Sequence, residues 1–86
     1  MIKAFTDRGW TDYEYWHNQN DKVAIKRINK LINNIESTPF ESLGKPEPLK
    51  YEFSGAWSRR ITDEHRLIYK VENDVIYIIS CRNHYE

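Results

Sequence analysis

Apolar and polar positions along the chain alternate in two distinct rhythms, and the switch between them falls near the middle. Trp10, Tyr13, Trp16 and His17 recur at spacings of three and four, the period of an α-helix. The spacing predicts an aromatic-faced helix over residues 7–18, with Thr6 as its cap and Asp7 in its first turn. Asn18-Gln19-Asn20 interrupts the pattern. Ala24, Ile28, Leu31, Ile32 and Ile35 then mark one face of a second helix, opened near Asp21 and closed by Ser37-Thr38-Pro39. Met1 to Phe5 reads as a short strand ahead of this helical hairpin. Residues 40–55 form a long connection punctuated by Gly44, Pro46, Pro48 and Gly55; such connections often carry function.

The rhythm of residues 56–85 has period two, as in three strands joined at Thr62-Asp63-Glu64 and Glu72-Asn73-Asp74. With three-residue loops at both turns, the odd-numbered face holds Trp57, Ile61, Leu67, Tyr69, Val71, Val75, Tyr77, Ile79 and Cys81. Apart from Arg59 it is apolar, and it is expected to pack on the helices. The even-numbered face holds Ser58, Arg60, Arg66, Ile68, Lys70, Ile76, Ile78, Ser80, Arg82 and His84. A one-residue change of loop length would exchange the faces.

Composition narrows the classes. The chain has 86 residues, room for a single domain over 1–86. Aromatics make up 14% of it, more than a disordered chain carries. Lys plus Arg number 13 and Asp plus Glu number 13, so no overall basic excess points to a polyanion, although a local patch is compatible with neutrality. No apolar run is long enough to span a membrane, and Met1-Ile2-Lys3-Ala4-Phe5 is not expected to begin a signal peptide. A single cysteine, Cys81, excludes an internal disulfide and reads as a core residue. A reducing, cytoplasmic setting is expected, with no cofactor and no metal.

The polar sheet face groups Arg60, Arg66 and His84, and the segment Lys45-Pro46-Glu47-Pro48-Leu49-Lys50 is expected to enter the same sheet. The two prolines flanking Glu47 lower the entropy of positioning it. A carboxylate, an imidazole and guanidinium groups suit RNA cleavage by its own 2′-hydroxyl, a reaction that proceeds without metal. It needs a base, an acid and fixed positive charge at the phosphate. Blander roles compete: Glu47 as a solvated loop residue, Arg60 and Arg66 as partners of Asp63, Glu64 or Glu72, and His17 and His65 as structural residues. Lys22, Lys26, Arg27 and Lys30 read as a solvated helix face that could also touch phosphate.

Several stretches together resemble the YoeB/Txe toxins of type II toxin–antitoxin modules, within the RelE-like superfamily. They are Thr38-Pro39-Phe40-Glu41, Gly44-Lys45-Pro46-Glu47-Pro48-Leu49-Lys50, Ser54-Gly55, Trp57-Ser58-Arg59-Arg60-Ile61-Thr62 and Glu64-His65-Arg66-Leu67 with Tyr69. Cys81-Arg82, His84-Tyr85 and the N-terminal Trp10, Asp12-Tyr13 and Tyr15-Trp16 belong with them. Glu86 departs from the His-Tyr ending of these toxins, and Asn83 stands where an aromatic residue is common. The resemblance implies an α+β fold, a two-helix N-terminal hairpin packed on an antiparallel sheet. It implies an endoribonuclease cutting mRNA in the ribosomal A site, with Glu47 as general base, His84 as general acid and Arg66 as the phosphate-stabilising cation. Lys50, Arg60 and Arg59 would bind phosphate and Tyr85 would orient the substrate. The implied partners are a YefM-like antitoxin, the ribosome and mRNA, with operator DNA reached only through the antitoxin complex. The exposed aromatic helix face suggests self-association. The alternative readings are a translation inhibitor that binds ribosome or RNA without cutting, and a purely regulatory subunit; no helix-turn-helix pattern is present for direct DNA reading.

Overall fold

The computed structural model describes residues 1–84. Strand β1 (Ile2–Phe5) leads into helices α1 (Asp7–Asn18) and α2 (Lys22–Ser37), followed by β2 (Glu47–Pro48), β3 (Trp57–Arg60), β4 (Arg66–Glu72) and β5 (Val75–Ser80). A 3-10 turn, Tyr51–Phe53, lies between β2 and β3. Both helices occupy the residues that their periodicity predicts. Thr6 Oγ1 accepts the Gly9 N–H and Asp21 Oδ1 accepts the Ala24 N–H, each satisfying one donor that a helix start leaves open.

The strands form one sheet in the order β1-β5-β4-β3-β2. It is mixed, not purely antiparallel as expected: β1 pairs parallel with β5, from Ile2 opposite Val75 to Phe5 opposite Ile78. A parallel pair needs a long crossover, and here everything from α1 to β4 supplies it.

The second turn corrects the expected register. Glu72 pairs with Val75, so the loop is only Asn73-Asp74. Both residues have positive φ, 53° and 62°, as the first hairpin turn type favoured by strand twist requires. Ile76 and Ile78 therefore turn into the core, fully buried, opposite Val71 and Tyr69. Val75, Tyr77 and Ile79, expected there, are only half-buried. A register shift then restores the expected parity. Tyr69 pairs with Ile78 but Ile68 with Ser80, which leaves Ile79 as an extra residue in β5. Beyond it Cys81 is fully buried in the core. At the first turn the expected three-residue loop holds: Arg60 pairs with Arg66, and Ile61 N–H donates to the His65 carbonyl.

Ile28, Leu31 and Ile35 of α2 pack with Leu67, Tyr69, Ile76 and Ile78, all fully buried. Helix α1 is fastened to the end of β5. Trp16 Nε1 donates to the Cys81 carbonyl at 2.8 Å, and Asp12 Oδ2 accepts the Cys81 N–H at 3.0 Å. A Cβ at Gly9 would lie 2.2 Å from the Ile78 carbonyl oxygen, so only glycine permits this approach.

Candidate active site

The open face of the sheet is organised in cross-strand rows. Glu47 on β2 stands opposite Ser58 on β3, Ser58 opposite Ile68 on β4, and Ile68 opposite Ser80 on β5. Directly opposite residues share a face, so the Glu47 carboxylate and the Ser58 and Ser80 hydroxyls belong to one surface. The next row toward the first turn is Arg60 opposite Arg66. Glu47 and Arg66 thus sit on strands two spacings apart, roughly 10 Å across the sheet, a gap that long side chains can close around one phosphate.

Glu47 reaches this row because of the backbone before it. Gly44 has φ 79°, and a Cβ there would meet Leu31 at 2.9 Å and Arg59 at 3.1 Å. Its carbonyl accepts the Arg60 N–H at 2.7 Å. The chain can therefore press against α2 and β3 before Glu47 pairs with β3. Glu47 is exposed. Lys50 is also exposed, beyond Glu47 on the side away from the arginine pair.

Arg66 is half-buried, and its Nη1 donates to the carbonyls of Thr62, Asp63 and His65. Among the described residues neither Arg60, Arg66 nor Lys50 forms an ion pair. The competing role of these arginines, as partners of Asp63, Glu64 or Glu72, is not adopted. Segment 82–84 is held from two sides: Asn83 N–H donates to His65 Nδ1 at 2.8 Å, and the Asn83 carbonyl accepts the Arg66 N–H at 3.0 Å. His84 follows directly and is exposed. Tyr85, expected to orient the substrate, lies outside the described residues.

Arg59 does not belong to this surface. It is fully buried on the core face. Its Nε donates to Tyr69 Oη, and its terminal nitrogens donate to Asn34 Oδ1 and to the carbonyls of Thr38, Glu41 and Leu43. The expectation that it binds phosphate is corrected: every nitrogen is committed to tying the 38–43 connection onto α2 and β4.

A cleft of about 550 Å³ adjoins His84, walled by Phe53, Ile68, Ile79, Ser80 and Arg82 and by Thr6, Asp7 and Arg8 at the start of α1. No local motif signals it, because its walls come from four separated segments. Arg82 lies over the Tyr15 ring, 3.5 Å from its centroid. Cys81 takes no part: burial first, and then the Asp12 carboxylate, push its thiol up to about 12, so it stays protonated and unreactive.

A mixed sheet carrying two helices on one face and an acid–arginine–histidine surface on the other defines a small α+β protein with an open, polar sheet face. Solved structures of YafQ from Escherichia coli share the fold, with a TM-score of 0.79 at 13% identity, covering 95% of this chain and 91% of that one. The family is settled by sequence. A profile described as the YoeB-like toxin of bacterial type II toxin-antitoxin system matches residues 5–85, and the chain belongs to this family. It is 53% identical over 85 residues to Toxin YoeB of Escherichia coli K12, covering 99% of this chain and all of that one. It is 55% identical over 86 residues to Toxin YoeB of Synechocystis, covering all of this chain and 99% of that one. Its structure matches a YoeB/ParE toxin from Agrobacterium tumefaciens with a TM-score of 0.94 at 47% identity, over 99% and 100% of the two chains. It also matches the toxin in a YoeB-YefM complex from Staphylococcus aureus, with a TM-score of 0.89 at 42% identity, over 99% and 98%.

Proposed function

We propose that this toxin is an endoribonuclease that cuts mRNA in the ribosomal A site. The observation that carries the reading is the shared open face: Glu47, Arg60 and Arg66 on three adjacent strands, with His84 anchored beside Arg66. Glu47 takes the proton of the 2′-hydroxyl, whose oxygen attacks the adjacent phosphorus. Arg66, supported by Arg60 and Lys50, neutralises the charge that builds on the phosphoryl oxygens. His84 protonates the departing 5′-oxygen. The products are a 2′,3′-cyclic phosphate and a free 5′-hydroxyl. The cleft beside His84 has the size and the apolar walls to receive a nucleobase next to the scissile bond.

So small a surface reads little sequence by itself, which favours a substrate presented and aligned by the ribosome. The solved YoeB-YefM complexes from Staphylococcus aureus support a YefM-like antitoxin as the neutralising partner, the pair together repressing its operon in the cytoplasm. The Staphylococcus aureus YoeB dimer supports self-association.

Primer extension on programmed ribosomes tests the chemistry, with free RNA in parallel. Glu47→Gln, Arg66→Gln and His84→Gln should each lower the cleavage rate by about 10²–10⁴-fold while retaining the fold. Intact but stalled message with the unaltered protein would instead support a binder. Normal cleavage by Glu47→Gln or His84→Gln would remove the assigned roles, and equal activity on free RNA would remove the ribosome.

A further inference from the structure

We propose that His65 is a positioning residue for His84, acting through the backbone of Asn83. The inference rests on the general-acid reading of His84. His65 lies in the turn between β3 and β4, far from residue 84 in sequence, and on pattern alone it reads as a packing residue. Its ring does stack edge-on against Trp16, with centroids 4.8 Å apart. Packing does not account for the other contact. The Asn83 N–H points at His65 Nδ1 at 2.8 Å, so this nitrogen is the unprotonated, accepting one.

The residue that receives this bond needs it. Asn83 adopts φ 69°, a left-handed conformation that asparagine tolerates better than most residues. The turn there re-aims the chain after β5, and His84 is the next residue. Two hydrogen bonds define it, one to His65 Nδ1 and one from the Arg66 N–H. Consecutive residues, His65 and Arg66, therefore clamp both backbone polar groups of Asn83, the residue that precedes His84. The Arg66 backbone thereby ties the proposed phosphate cation and the proposed acid into one unit. Loss of the imidazole acceptor removes one of the two bonds described at Asn83, and the acid would then sample positions away from the leaving oxygen. The turn carrying His65 is held independently: the His65 carbonyl accepts from the Ile61 and Thr62 N–H groups, and the His65 N–H donates to Thr62 Oγ1.

Two substitutions separate positioning from packing. His65→Phe keeps a ring against Trp16 and removes the acceptor. His65→Asn loses the ring but can place a carboxamide oxygen where Nδ1 stands. Single-turnover cleavage is measured on programmed ribosomes at saturating toxin, with ribosome affinity and thermal melting measured alongside and His84→Gln in the same series. His65→Phe should melt near the unaltered protein and bind ribosomes equally, yet cleave about 10- to 100-fold more slowly. His65→Asn should recover most of that rate despite its lost packing. If His84→Gln is inactive while His65→Phe cleaves normally, the positioning role is overturned. It is overturned equally if both His65 variants lose rate only in proportion to lost stability. If His84→Gln cleaves normally, the acid assignment itself fails and takes this inference with it.

Discussion

Arg59 and Arg60 are neighbours in sequence, one fully buried and one exposed, and exchanging each for methionine in turn tests the roles proposed for them. Arg59 gives five hydrogen bonds, two to side chains and three to carbonyls. A buried acceptor left without its donor costs about 1–3 kcal/mol. Asn34 Oδ1 keeps only the longer bonds from Thr38 Oγ1 and the Leu43 N–H, and the Tyr69 hydroxyl only its donation to the Pro39 carbonyl, while the carbonyls of Thr38, Glu41 and Leu43 lose the donor that holds their connection in place. Methionine fills much of the vacated volume and removes a charge whose desolvation the dipoles offset only in part. The net loss for Arg59→Met is then about 2–4 kcal/mol, or roughly 10–30 °C in melting temperature for a domain of this size. Arg60 is exposed and uses its side chain for no hydrogen bond among the described residues. Arg60→Met should stay within about 0.5 kcal/mol and cleave about 10- to 100-fold more slowly. Denaturant unfolding and melting, measured in a Glu47→Gln background so that the protein can be produced, give the stabilities. Cleavage assays on the single variants give the activities. An Arg59→Met protein that melts normally would refute the buried-hub argument. If it were also inactive while Arg60→Met cleaved normally, the two roles would have to be exchanged.

Three further outcomes follow from local geometry. Gly9→Ala drives a Cβ to within 2.2 Å of the Ile78 carbonyl and should cost about 1–3 kcal/mol by forcing α1 off the sheet, read as a lower urea midpoint with unchanged slope. Asp74→Gly places glycine at the second left-handed position of the β4–β5 turn, φ 62°, and should raise the midpoint by an amount worth about 0.5 kcal/mol; a lower midpoint would contradict the turn assignment. Cys81 has its thiol raised from the usual 9 to about 12, so the unfolded chain loses that proton first. Its contribution is complete below about pH 9 and is lost as pH rises toward 12, at about 1.4 kcal/mol per unit. Cys81→Ala should flatten the alkaline fall in stability, and a curve of unchanged slope would show that the thiol is not the titrating group.

The helices were legible because their apolar spacing and caps agree: Thr6 and Asp21 each cap the helix that the periodicity places after them. Strand β5 was not, since Val75-Ile76-Tyr77-Ile78-Ile79 is apolar throughout and shows no alternation to say which side faces the core. Parity there is decided by the loop before it, where Glu72 suits a turn or a strand end equally well, and by an extra residue that no pattern marks. Arg59 was legible in one respect and misread in another. Its place among Trp57 and Ile61 puts it on the apolar face, while the family resemblance implied phosphate binding; burial decides for the first. The clamp of His65 and Arg66 on Asn83 joins residues 18 positions apart and is visible only once the β3–β4 turn and the end of β5 are side by side.

The zero net charge fits a phosphate-binding surface once the partners of each charge are followed. Several acids are paired away from the arginine row: Asp12 with Arg8, Glu36 with Lys3 and the N-terminus, and Glu72 with Lys70 at the far end of β4. The Lys3 ammonium accordingly holds the Glu36 carboxyl below its usual range. The arginines of the sheet are oriented differently. Among the described residues Arg66 is aimed by three carbonyls and by no carboxylate, so it is held in place without a charge partner there. A carboxylate would orient a guanidinium equally well but would cancel the potential that an incoming phosphate needs. Glu47 stands in the row adjoining the arginines and, among the described residues, forms no ion pair with them. In the proposed reaction, that separation would let it act on a hydroxyl beside the phosphate without neutralising the cations proposed to hold the phosphate.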